Sequence, residues 1–363
     1  MKITVKKNAL SDVLRKVLSA VNTKTTIPVL NNVHLEASGD SLAVAATDLE
    51  VFIRSKAVGN VEREGKTTLP ARKFGQIISA LPDGDIVLET DENEQTSISC
   101  ERSFFRMVGL SAEEFPTEDD EEGEWNFTLP ASAFKKMLDK VSYAASTDES
   151  RHVLNGILLS IREGVVTSVG TDGRRLALLE SPLDNENAAD GDVILPPKVI
   201  GELIKLLDQD KELNIQLTES RASFLLSDTL ITSKLVEGSY PNYRQVIPGG
   251  FNNSAVLPRD AFAEAVNRVA MVVTESSSSV RLNLENGKAT VSASSAEVGE
   301  SNEPLEVSYE GEPLDISLNP QFLMEPLRHM ECDQVVLQFN DQFSPVSISG
   351  DEGFLYIIMP MRT

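Results

Sequence analysis

The sequence predicts an α+β protein of three repeated domains, each built from two β-α-β-β-β halves. Three observations carry that expectation. Segment 3–17 aligns without a gap with 127–141 and with 255–269. A second triplet begins at Leu69, Leu195 and Leu318 and aligns in the same way. Short β-rich or alternating runs fill the intervals. Self-similarity at a nearly fixed spacing marks a repeat architecture, and 363 residues are too many for one ordinary core.

In the first triplet apolar residues recur at Leu10, Val13, Leu14 and Val17, and again at Phe134, Met137, Leu138 and Val141. The third copy has Phe262, Ala265, Val266 and Val269. This i, i+3, i+4, i+7 spacing places them on one helical face. Asn8, Ser132 and Asp260 align at the start and predict side-chain N-caps, three residue types serving one role. The second triplet has the faces Phe74/Ile77/Ile78/Leu81, Ile200/Leu203/Ile204/Leu207 and Leu323/Pro326/Leu327/Met330. Pro197 and Pro320 suit a first helical position, whereas Pro326 predicts a kink or a break. Strands are expected at 33–35 and 42–46, at 157–160 and 165–169, and at 280–284 and 289–293. Others follow at 86–89, 213–217 and 335–339, with Asp83-Gly84 and Asn286-Gly287 as turns. Boundaries near 117–124 and 248–253 divide the chain into domains 1–120, 125–248 and 252–363. The acidic run 118–122 lacks the ligand spacing of an EF-hand and reads as a solvated interdomain loop.

An apolar fraction of 41% and a charged fraction of 25% fit a soluble globular protein. No run approaches the roughly 20 apolar residues that span a bilayer, and the N-terminus has no export signal. Cys100 and Cys332, far apart in such a chain, are expected as buried thiols rather than a disulfide. A cytoplasmic location follows. The chain has no G-x-x-x-x-G-K-[ST], G-x-G-x-x-G, G-x-S-x-G or H-E-x-x-H motif. His34, His152 and His329 fall in three different repeats, which disfavours a histidine metal or acid–base site. Thr47-Asp48 and Thr171-Asp172 occupy equivalent repeat positions, so a structural turn explains them better than a unique catalytic carboxylate. No enzyme, metal or cofactor is expected.

The net charge of −23 argues against a nucleic-acid partner only if the charges are spread evenly. Lys16, Lys140 and Arg268 share one position of the first-helix triplet, and Arg72 and Lys198 share one position of the second. Lys135, Lys136, Lys205 and Arg328 add to the same set. Six such helices lining one surface would make a weak, sequence-blind phosphate contact. No base-reading motif appears. A peptide-binding scaffold that never encloses DNA would leave these repeated basic positions unexplained.

Thr171-Asp-Gly-Arg-Arg-Leu176, Leu154-Asn-Gly156, Thr232-Ser-Lys-Leu-Val236, Tyr240-Pro-Asn-Tyr243 and Tyr356-Ile-Ile-Met-Pro-Met-Arg362 closely resemble the bacterial DNA polymerase III beta subunit family. The likeness runs from Met1 to the last residues. It implies a non-catalytic sliding clamp, a head-to-tail homodimer whose six clamp domains close a ring, helices lining the hole and sheets outside. It implies double-stranded DNA, the replicative polymerase alpha subunit, the clamp loader, repair polymerases and mismatch-repair factors as partners. By the same resemblance, Lys24, Arg72, Lys73, His152 and Lys198 contact DNA. Asp148 and Val153 depart from the polar and aromatic residues expected in the loop around His152. A partner groove is implied at Leu154, Thr171, Gly173, Arg174, Arg175, Leu176, Pro241, Val246, Asn319, Phe322, Ile357, Met359, Met361 and Arg362. Adaptable methionine and aliphatic walls with arginines on the rim suit such a groove. The tail 360–362 is expected to be exposed, and Ser277 lacks the aromatic group expected nearby. The dimer interface would use Phe105 and Met107 against Met271 and Val272.

Overall fold

Strand passes into helix without a loop at the start of each repeat. In the computed structural model, which describes residues 1–21, 25–117, 125–183, 190–207, 211–274 and 278–362, β1 (Lys2–Lys6) leads straight into α1 (Lys7–Val17). The first repeat continues with β2 (Asn32–Ser38), β3 (Ser41–Thr47) and β4 (Val51–Arg63). Its second half is β5 (Gly65–Pro70), α2 (Ala71–Ala80), β6 (Asp85–Thr90), β7 (Gln95–Cys100) and β8 (Ser103–Val108). The second repeat runs β9 (Trp125–Pro130), α3 (Ala131–Val141), a single turn α4 (His152–Asn155), β10 (Ile157–Arg162), β11 (Val165–Thr171) and β12 (Arg175–Pro182). It ends with β13 (Gly191–Leu195), α5 (Pro197–Leu206), β14 (Glu212–Leu217), β15 (Arg221–Leu226) and β16 (Thr229–Lys234). The third runs β17 (Asn253–Pro258), α6 (Arg259–Val269), β18 (Val280–Glu285), β19 (Lys288–Ser295), β20 (Gly299–Glu306) and a short β21 (Ser308–Tyr309). It closes with β22 (Leu314–Leu318), α7 (Pro320–His329), β23 (Gln334–Phe339), β24 (Val346–Ser349) and β25 (Phe354–Ile358). The β-α-β-β-β halves read from the sequence are all present.

The expected N-caps are not. Asn8, Ser132 and Asp260 stand inside the first turn, and Lys6 and Pro258 at the cap positions make no side-chain cap. Because strand and helix abut, the first helical N–H is taken by a neighbouring backbone instead. Lys7 N donates to Gly84 O, Ala131 N to Lys211 O and Arg259 N to Asp333 O, at 2.8–2.9 Å. One tertiary bond, repeated three times, does the work of a cap. The apolar faces pack as expected: all twelve first-triplet residues are buried. Each such side chain contributes about 1.5–3 kcal/mol of burial.

Pro326 does not break α7, which continues to His329. A proline here removes the bond to the carbonyl of Phe322. The hydroxyl of the fully buried Tyr356 donates to that carbonyl at 2.8 Å.

Two compact units form: 1–132 with 198–235, and 133–197 with 236–363. In the first, a twelve-stranded sheet runs β8-β7-β6-β1-β4-β16-β15-β14-β9, with β3, β2 and β5 continuing from β4. Antiparallel β4 and β16 join repeats one and two, with Ser55 and Thr229 hydroxyls 2.8 Å apart in the buried seam. In the second, a nine-stranded sheet runs β13-β10-β11-β12-β25-β24-β23-β17-β21, and β20-β19-β18-β22 form a separate one. Here β12 and β25 join repeats two and three. Each unit therefore contains one seam between repeats, and the middle repeat contributes to both. Cys100 and Cys332 are free thiols, Cys100 buried and Cys332 half-buried. No helix among the described residues is long and apolar enough to cross a membrane.

Candidate partner groove, sheet edges and basic residues

The β11–β12 turn is built by its own side chains. Thr171 Oγ1 donates to Arg175 O and accepts from Gly173 N, while Asp172 Oδ1 accepts from Arg174 N and Arg175 N. Gly173 has a φ of +85°, the left-handed region glycine occupies without strain. Thr47 and Asp48 make the same four bonds, with Leu49 forced to a φ of +77°. The equivalence of the two Thr-Asp pairs is thus a turn design.

This turn presents the groove residues of the second unit. Strand β25 lies beside β12, with Leu176 opposite Ile357, and Met359 N donates to Arg174 O as the chain leaves the sheet. Leu176 and Ile357 share an apolar cluster with Leu158, Val169, Leu178, Ile194 and Tyr243. Tyr240 and Ile247, flanking Pro241 and Val246, pack against it. Gly173, Arg174, Pro241, Val246, Met359 and Arg362 are exposed, while Leu154, Asn319, Phe322 and Met361 are half-buried. Two expectations change. Arg175 is no rim donor: it is buried, and it donates to Asp172, Glu325 and the carbonyl of Tyr143 with its guanidinium 4.3 Å from the Phe322 ring centre. The tail is not loose either, because Met361 N donates to Ser317 O at 2.8 Å. Asn319 caps α7 through Gln321 N and Phe322 N. Phe343, 55% exposed three residues before Val346, was not singled out by the sequence, although Val346 pairs with Ile358 at the end of β25.

Strand β8 pairs only with β7 and is a sheet edge among the described residues. Phe104, Phe105 and Val108 are exposed on it, but Met107 is buried. Phe104 and Val108, missed in sequence, replace Met107 as the apolar surface of this edge. Met271 is 70% exposed in the helical turn after α6, and Val272 is half-buried. Strand β20, paired only with β19, is a second edge.

Three family models cover the chain in succession: the DNA polymerase III beta subunit N-terminal domain over 1–119, the central domain over 128–242 and the C-terminal domain over 244–362. The chain belongs to the DNA polymerase III beta subunit family. The beta sliding clamp of Chlamydia muridarum is 34% identical over 362 residues, spanning 100% of this chain and 99% of that protein. The crystal structure of DNA polymerase III subunit beta from Pseudomonas aeruginosa matches with a TM-score of 0.96 at 33% identity, covering both chains fully. The sliding clamp of Bacillus subtilis matches with a TM-score of 0.95 at 28% identity, covering 100% of this chain and 99% of that one. Membership of this family makes the chain a non-catalytic subunit rather than an enzyme.

The basic residues of this beta subunit are less available than their spacing implies. Lys140 is 2% exposed and bonded to Asp351. Lys16 pairs with Asp12, Lys136 with Glu331, Lys205 with Glu202, and Arg268 with both Glu264 and Glu303. Lys198 is bonded to the buried Asp48, and burial pushes its ammonium below the usual value. Arg72, Lys73 and His152 are exposed. Asp148 is committed to its loop, where bonds from the Ser150 hydroxyl and amide hold its carboxyl below the usual range. Lys24, Ser277 and the acidic run 118–122 lie outside the described residues.

Proposed function

We propose that two copies of this chain join head to tail into a closed ring around duplex DNA, tethering polymerases without catalysing any step. The observation that carries this reading is the seam. The last strand of one repeat's second half pairs with the third strand of the preceding repeat's first half, once at β16–β4 and once at β25–β12. The same rule leaves β8 and β20 as the two unmatched edges. A surface that meets a different, complementary surface closes into a ring when the rotation allows it. Exposed apolar edge strands also seek partners.

The register follows from the two existing seams. Val51 faces Ser233 in one and Arg175 faces Ile358 in the other. Their counterparts are Gly299 and Met107, the latter three residues before Leu110, which meets Thr68 as Val236 meets Ile194 and Met361 meets Ser317. Antiparallel pairing then sets Glu300 opposite the partner subunit's Arg106. Met271 and Val272 would complete the apolar contact with Phe105. Glu300→Arg or Arg106→Glu alone should yield monomers by analytical ultracentrifugation, and both together should restore the dimer. Dimers surviving either single reversal at unchanged affinity would refute this seam.

On this reading the domains are 1–120, 125–248 and 252–363. Arg72, Lys73 and His152, with Lys24, touch phosphates, and Lys198 instead holds a seam. The contact is sequence-blind, and enclosure supplies the residence time that affinity does not. The groove formed by Leu154, Thr171, Gly173, Arg174, Leu176, Pro241, Val246, Asn319, Phe322, Ile357, Met359, Met361 and Arg362 takes a peptide of each partner in turn. The replicative polymerase alpha subunit, clamp loader, repair polymerases and mismatch-repair factors fit this role, in the cytoplasm.

A further inference from the structure

We propose that Ala296 marks the release point of the ring: the seam between copies lacks the carboxylate that anchors both seams within the chain, and so it separates first. This rests on the head-to-tail reading above. The turn after the third strand is the same device in all three repeats, because Leu49 N, Gly173 N and Glu297 N donate to Thr47, Thr171 and Ser295 hydroxyls at 3.0–3.3 Å. In the first two repeats the next residue is an aspartate that joins an ionic clasp to the second helix of the following repeat. Asp48, 7% exposed, bonds Lys198 of α5. Asp172 bonds Arg175, which bonds Glu325 of α7.

Repeat three breaks the pattern at each point. Position 296 is alanine, and the counterpart of Arg175 is Gly299. On the facing surface, α2 carries Arg72 where α5 has Lys198, and Gln76 where α7 has Glu325. The clasp is therefore absent from the carboxylate side, while strand pairing and apolar side chains remain. Charge-assisted, part-buried bonds are the stronger kind, so a seam without one is the weakest of the three. A ring that must admit DNA and then hold it needs one seam of that kind. The two strengthened seams keep each chain intact while the third opens.

Ala296 is exposed in a turn that aspartate favours, so Ala296→Asp should fold and meet the partner subunit's Arg72. Subunit exchange between differently dyed dimers should slow roughly tenfold, the scale of one charge-assisted bond. Adding Arg72→Ala to the same chain should return exchange to the wild-type rate. An unchanged rate in Ala296→Asp, in a protein whose wild type is a dimer, would overturn the proposal and leave the head-to-tail reading standing. Slowing that persists with Arg72→Ala would overturn it as well. A wild type that never dimerises would remove both the reading and the inference.

Discussion

The hydroxyl of Tyr356 donates to the main-chain carbonyl of Phe322 at 2.8 Å, the carbonyl that Pro326 leaves without a helical partner. Burial raises the Tyr356 pKa far above its ordinary value, so the hydroxyl remains a donor at any working pH. Tyr356→Phe should lower unfolding stability by about 1–3 kcal/mol, the cost of an unsatisfied buried carbonyl. Pro326→Ala on that background should recover part of the loss by restoring a helical N–H. Denaturant midpoints check both. An unaltered midpoint in Tyr356→Phe would mean that the carbonyl finds another partner.

The Lys140–Asp351 pair is almost wholly buried. Burial alone would raise the Asp351 carboxyl, but bonds from Lys140 and from the amides of Glu331 and Cys332 outweigh it and hold the group below 3.8. A carboxylate depressed in the folded state adds stability that is complete above its unfolded value and vanishes as pH falls through the folded one. Asp351→Asn should cost about 3–5 kcal/mol at neutral pH by stranding a buried ammonium. The gap to wild type should stay level down to about pH 5 and narrow below about pH 4. A gap that widens on acidification would reverse the assignment.

Lys198 and Lys73 should part company. Lys198→Ala leaves Asp48 buried without its cation and should lower stability by about 1–3 kcal/mol, with little change in DNA affinity. Lys73→Ala should leave stability within about 0.5 kcal/mol and reduce the salt slope of DNA binding by about 1. Thermal unfolding and salt titrations would separate them, and the opposite pattern would return Lys198 to the DNA surface.

Deleting residues 361–363 removes the amide that binds Ser317 and a half-buried methionine from the groove. Polymerase-peptide affinity should fall at least about tenfold, which corresponds to roughly 1.4 kcal/mol. Sedimentation mass should not change. Peptide binding that survives the deletion would contradict the placement of the groove.

What the residues disclosed in sequence was what short-range pattern encodes. The twelve apolar positions of the first helices carry the helical period, and all are buried. The Thr-Asp turns are local, and their repetition at positions 47–48 and 171–172 identified them as structure. What stayed hidden depends on a neighbour distant in the chain. The first helices are capped by Gly84, Lys211 and Asp333, which no local window contains. Pro326 is rescued from a strand 30 residues downstream. Lys140, Lys198 and Arg268 were legible as charges but not as ion pairs, since Asp351, Asp48 and Glu303 lie in other segments. Arg175 has the same history: an arginine beside a groove reads as a rim donor until Glu325 and Tyr143 are brought to it.

Enclosure of DNA is the central claim, and topology tests it more directly than affinity. The chain should be loaded onto nicked circular duplex DNA with a clamp loader, and the circle then cut once. A ring held by enclosure slides off the new ends, so the account predicts retention on the circle and loss after linearisation. Retention that survives the cut would show that the chain grips DNA rather than surrounding it.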